Sequence, residues 1–198
     1  YEADRVVVFL RKLNVFVIVD SIKITRTSWF TFANLWHTRQ IDGRQGNSFL
    51  THYDQVGSEH LTADTKLQIL FAAEGVGKSL GSFQINRHGQ DEQAIYQMLS
   101  GSFKAGDRET FVTVLHPQAS NADPASFMDS VHFVQSDKPH DGIGVELVVE
   151  GVAHLVCVKT NLDLDTAVEN IRPRYSYELG RIRYGGLETD AGFVYASF

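Results

Sequence analysis

One cysteine and four prolines among 198 residues leave little room for several kinds of architecture. Cys157 has no second thiol in the chain to pair with, so a disulfide-stapled scaffold and a cysteine-rich zinc module are both excluded. No apolar run reaches the roughly 18 residues that a membrane-spanning helix needs, and no signal peptide opens the chain. A basic excess is missing too: 18 Lys and Arg against 24 Asp and Glu give a net charge of −6. That balance offers no general attraction to nucleic acid or to anionic membranes, and neither is expected as a partner. With 43% hydrophobic and 21% charged residues, the composition is that of a globular protein, not of a disordered or collagenous one. A chain of 22.2 kDa can bury a sizeable core.

What is present reads as strand. Val6-Val7-Val8-Phe9-Leu10 and Val15-Phe16-Val17-Ile18-Val19 flank a polar link ending in Asn14, which predicts a hairpin of strands covered on both faces. Trp29 to His37 alternates, with Phe30, Phe32, Asn34 and Trp36 on one face and Leu35 and His37 on the other. Further strands are expected at Ser48–Tyr53, Glu59–Thr62, Lys66–Ala72, Ala94–Leu99, Glu109–Leu115 and Met128–Val134. Gly144–Val149, Ala153–Lys159 and Gly192–Phe198 complete the series, with Glu150-Gly151 as a tight turn. Asp42 to Ser48 reads as a polar loop, and Asp163–Ile171 as the single helix-like stretch, stopped by Pro173. The expected fold is all-β: an antiparallel β-sandwich of about ten or more short strands, up to a large supersandwich, ahead of a barrel. No repeat or linker divides the chain, so residues 1–198 read as one domain. The opening Tyr1-Glu2-Ala3-Asp4-Arg5 runs straight into a strand and the last residues have strand composition, which reads as a piece of a longer multidomain chain.

Most motif-like stretches have a simpler structural account. Gly77-Lys78-Ser79 matches the end of a phosphate loop, but the required earlier glycine is Ala72, and Leu80 to Ile85 looks extended where a helix should start. A polar turn is the better reading. His37, His52 and His60 lie among Asp42, Asp54 and Glu59 at intervals too long for a metal site, so no metal or other cofactor is expected. Cys157 alternates with apolar neighbours, which suits a buried small hydrophobe and opposes thiolate formation. No G-x-S-x-G elbow provides a serine nucleophile. Two stretches retain binding chemistry. Arg172 to Tyr184 holds four arginines and three tyrosines in an acidic chain, and from it Arg174, Tyr175 and Arg181 are candidates for contact with an anionic sugar polymer. An edge strand kept soluble by arginine explains the same residues. Trp36 and His37 at a strand end are candidates for lining a sugar groove, against a core tryptophan that closes the sandwich.

The order Arg5 to Leu10, then Val15 to Ile22, then an aromatic strand ending Leu35-Trp36-His37-Thr38 resembles the β-sandwich region of heparinase II/III-like polysaccharide lyases, whose architecture alginate lyases share. Thr110 to Pro117, and Glu188-Thr189-Asp190-Ala191 before a strand, add to the resemblance. It implies an N-terminal helical toroid as partner domain, an acidic polysaccharide as substrate, and a periplasmic or secreted setting. It also implies eliminative cleavage, in which a base takes the C5 proton and an acid protonates the leaving oxygen. The family's base and acid sit on the toroid, and its metal ligands precede the Arg-x-Val strand. No residue here therefore inherits a catalytic role, and the chain alone is expected to be inactive. The alternative is a stand-alone carbohydrate-binding or interaction module.

Overall fold

The computed structural model describes residues 1–52, 65–72, 77–87, 90–165, 174–177 and 180–198. Their strands are β1 (Glu2–Leu10), β2 (Val15–Lys23), β3 (Ser28–Thr38), β4 (Gln40–Gln45), β5 (Ser48–His52), β6 (Thr65–Phe71), β7 (Lys78–Arg87), β8 (Gln90–Phe103) and β9 (Arg108–Ala119). After a short helix, α1 (Pro124–Ser130), come β10 (Val131–Gln135), β11 (Gly142–Val149), β12 (Val152–Lys159), β13 (Leu162–Asp165), β14 (Arg174–Tyr177), β15 (Ile182–Tyr184), β16 (Leu187–Thr189) and β17 (Phe193–Ser197). The fold is all-β, and the paired strands are antiparallel.

A six-stranded sheet in the order β1-β2-β9-β6-β5-β4 lies at the centre. One of its faces packs on a four-stranded sheet, β10-β11-β12-β17, with Val17, Val112 and Val114 meeting Val145, Leu147 and Val156. Its other face packs on a three-stranded sheet, β3-β8-β7. There Phe111 meets Phe32, Leu99 and Phe103, while Phe49, Ile69 and Phe71 meet Ile95. The molecule is thus a stack of three sheets, the larger form of sandwich that the strand count allows. This double cover explains the unbroken apolar run of β2: Val17 and Ile18 point to opposite faces, yet both are buried. β1, at the edge, alternates instead between half-buried and exposed residues. The β15–β16 hairpin covers the far side of the four-stranded sheet, where Ile182 and Tyr184 pack on Leu155 and Cys157. Lys159, itself buried, fastens that side by donating from Nζ to the carbonyls of Gly180 and Asp190.

Turn chemistry follows the sequence where left-handed backbone is needed. Asn14 takes φ 53° in the β1–β2 link, and Glu150 and Gly151 take φ 52° and 80° between β11 and β12, as a two-residue hairpin turn requires.

Three expectations are corrected. The polar stretch from Asp42 is not a loop, because Gln40–Gln45 forms β4 and only Gly46-Asn47, with Gly46 at φ 56°, turns the chain into β5. β4 is an edge strand with a bulge between Ile41 and Gly43, so polar residues can face solvent along it. Met128–Val134 is not one strand, since α1 runs to Ser130 and β10 starts at Val131. Asp123 caps that helix by accepting from the Ala125 N–H, Pro124 occupies its first turn, and Phe127 anchors it in the core. The expected helix at Asp163–Ile171 begins as strand, because Leu162–Asp165 pairs with Arg174–Tyr177. Its later residues, like the expected strand Glu59–Thr62 and the end of Ser48–Tyr53, lie outside the described residues.

Cys157 sits on the side of β12 that faces the β15–β16 hairpin, 1% exposed, and burial pushes its thiol up to about 12. The folded protein should therefore leave a colorimetric thiol reagent unreacted at about pH 8, and release one equivalent once unfolded in guanidinium. Rapid reaction of the native protein would place the thiol elsewhere.

Candidate functional site

Where β3 leans over the β1–β2 end of the central sheet, a cleft of about 430 Å³ opens between the two layers. The hairpin register places Arg5 directly opposite Asp20, and Asp20 in turn opposite Phe111 of β9, so the three form a row across the sheet. Arg5 and Asp20 meet as a fork: Nε donates to Oδ1 at 2.5 Å and one Nη to Oδ2 at 3.0 Å. The guanidinium also lies 5.7 Å from the centre of the Trp36 ring. Phe30 and Phe32 form the β3 side of the cleft, with Asn34 beyond them.

Two polar atoms here lack a hydrogen-bond partner among the described residues. Asn34 is 4% exposed, and its amide nitrogen donates to Thr113 Oγ1 at 2.9 Å, which leaves Oδ1 unpaired. Trp36 Nε1, two residues along the same face, is buried and unpaired as well. Buried groups of this kind cost about 1–3 kcal/mol each. Asp20 raises the pKa of Arg5 above its ordinary value, first through the hydrogen bond, then against burial, with charge attraction adding to the rise. The cleft therefore carries an arginine whose charge is matched locally by Asp20. With Arg5 matched by Asp20, the cleft offers no surplus of positive charge.

The residues expected from the sequence are not gathered at one place. Trp36 faces the central sheet beside Arg5, whereas His37 points from the opposite face of β3 and is exposed. Arg174 and Tyr175 lie on β14, opposite Asp165 and Leu164 of β13, and their side chains are outside the described set. Arg181 is exposed before β15, with a guanidinium nitrogen 3.9 Å from Glu188, and Arg183 shares that carboxylate at 3.5 Å. The positive charge of that hairpin is partly matched. Arg5, Asp20 and Asn34 were absent from the sequence candidates. The hairpin register could have paired the first two, since a link at residues 11–14 sets Arg5 across from Asp20.

Other polar clusters have structural uses. Asp42 accepts from His52 at 2.6 Å and pairs with Lys66 at 2.9 Å. Burial opposes ionisation of Asp42, but the hydrogen bonds from Lys66 and His52 outweigh it and hold the carboxyl below the usual range. No group of three His, Cys, Asp or Glu side chains converges as a metal site among the described residues, and His60, Asp54 and Glu59 fall outside them. After Gly77, at φ 95°, the chain enters β7 rather than a helix. Lys78 is fixed by donation to the Thr110 carbonyl and by its place 4.9 Å over the Phe111 ring, which commits the lysine that the phosphate-loop reading required to the fold.

His116 lies flat on Phe127 at 4.0 Å, with Nδ1 buried and unpaired, and burial lowers its pKa from 6.5. The unfolded chain then binds this proton more readily than the folded one. Stability should fall as pH drops below about 6.5, until the pH passes the depressed native value. The variant His116→Phe should flatten that slope in urea unfolding series across the window; an unchanged slope would assign the effect to another group.

Comparison with family models, with curated proteins and with solved structures finds no match to this chain.

Proposed function

We propose that this chain is the β-sandwich part of a heparinase II/III-like polysaccharide lyase, and that its own task is to hold a uronate-containing saccharide while a helical domain performs the elimination. The observation that carries this reading is the cleft between the β1–β2 hairpin and β3, where the forked Arg5–Asp20 pair lies between the aromatic walls of Phe30 and Phe32. Sugar hydroxyls both donate and accept, so they suit such a mixed lining, and the faces of sugar rings suit Phe30 and Phe32. The stack of three sheets supports the expected architecture without fixing the substrate. The substrate carboxylate is left to the helical domain, since Arg5 is already matched by Asp20. A periplasmic or secreted setting goes with this proposal.

Mixing the chain with heparin, heparan sulfate or alginate should give no rise in the ultraviolet absorbance of an unsaturated product. Calorimetric titration with oligosaccharides of the same polymers should give binding. Sustained turnover would contradict the division of labour.

A second reading, a carbohydrate-binding module without an enzymatic parent, draws on a different surface. The outer face of β3-β8-β7 exposes Trp29 at 69% and Phe83 at 47%, with Tyr96 packed 6.0 Å from Phe83. Flat aromatic faces on a sheet suit stacking on sugar rings without any charge. Binding of a neutral polysaccharide, lost in Trp29→Ala and kept in Arg5→Met, would favour that module.

A further inference from the structure

The two edges of the central sheet differ. β4 is short, polar and bulged, while β1 runs nine residues in unbroken register with β2 and carries Val6-Val7-Val8-Phe9 at its middle. Val7 is 55% exposed and Phe9 47%. Among the described residues no strand pairs with the outer side of β1. A long, regular edge with an apolar middle invites another strand. Beside it runs an apolar cleft of about 700 Å³, with β1 on one wall and Phe193 and Tyr195 of β17 on the other.

The charges of β1 indicate which strand fits. Glu2 and Asp4 lie at its start, and Arg11 and Lys12 follow its end. We propose that β1 pairs antiparallel with β1 of a second copy of this chain about a two-fold axis at Val7, joining the two central sheets into one. In that register Val6 stands opposite Val8 and Arg5 opposite Phe9, and the acidic start of each β1 at Glu2 comes close to the Arg11-Lys12 turn of the other copy, each contact made twice by symmetry. A parallel arrangement would set acidic start beside acidic start and basic end beside basic end. Even-numbered residues of β1 face the four-stranded sheet, as Val6, Val8 and Leu10 show. The second copy's Val6 and Val8 would therefore enter the apolar cleft and cover Phe193 and Tyr195. This pairing is independent of any saccharide.

Sedimentation velocity over a concentration series tests the pairing on the whole chain. The expected result is a monomer–dimer equilibrium that Val7→Lys weakens by about tenfold or more, because two lysines then meet on the axis. Val7 is exposed, so at concentrations low enough for both to be monomeric the variant should keep the wild-type urea midpoint, which separates lost pairing from lost folding. Glu2→Lys alone and Lys12→Glu alone should each weaken the dimer about fivefold, and the double exchange should restore it to within about twofold. A monomer at every concentration overturns the proposal. So does a dimer indifferent to Val7→Lys, or a double exchange as weak as either single change.

Discussion

Phe111→Ala and Val112→Ala, neighbours on β9, should both destabilise the protein substantially, by about 3–5 and about 2 kcal/mol. Successive residues of a strand face opposite sides of a sheet, so in a two-layer sandwich one of such a pair is exposed and nearly silent. Here Phe111 packs with Phe32, Leu99 and Phe103 of the three-stranded sheet, and Val112 packs in the core shared with the four-stranded sheet. Each is 2% exposed. Removal of either side chain leaves a cavity between layers that cannot collapse freely, since the central sheet is held from both faces. Phe83→Ala, on the outer face, should stay within about 0.5 kcal/mol of wild type. Urea unfolding measures all three. A silent Phe111→Ala would mean that the three-stranded sheet does not cover the centre.

Arg5→Met should reduce affinity for uronate oligosaccharides about tenfold, while moving the folding free energy by no more than about 1 kcal/mol. Arg5 is 53% exposed at its side chain, so its ion pair is a weak support for the fold. Its larger effect is on the cleft: without the guanidinium, Asp20 keeps an unmatched carboxylate at 15% exposure, which repels an acidic polymer and no longer shares a donor with it. The double variant Arg5→Met with Asp20→Asn should recover part of the loss, because the uncompensated charge is gone. The hairpin arginines predict a different signature. Binding through Arg181 would weaken steeply with salt, whereas hydroxyl contacts at a matched pair change little.

Much of the fold was legible because β-branched and aromatic runs bounded by turn residues are local signals. Asn14 and Glu150-Gly151 announced their hairpins, and the apolar run of β2 announced a strand covered twice, whereas the equally apolar run of β1, read the same way, lies at an edge with Val7 and Phe9 exposed. β4 escaped because an edge strand need not be apolar, and its residues carry the composition of a loop. The helix α1 was hidden by the apolar residues around Met128, although Asp123-Pro124 was a start signal. The candidate cleft was half legible. Arg5 and Asp20 follow from one hairpin, but their meeting with Asn34 and Trp36 depends on β3 docking over distant strands, which no local pattern records. Trp36 shares the strand face of Phe32 and Asn34, as the alternation predicts, and His37, its neighbour in sequence, is turned away by the strand period itself.

The most direct test is one calorimetric titration, wild type beside Arg5→Met, with a heparin or alginate oligosaccharide at low and moderate salt, followed by a reading of product absorbance on the same samples. The account predicts binding that changes little with salt, falls about tenfold in the variant, and leaves no unsaturated product. Binding that ignores the substitution and vanishes with salt, or absorbance that climbs with time, would contradict it.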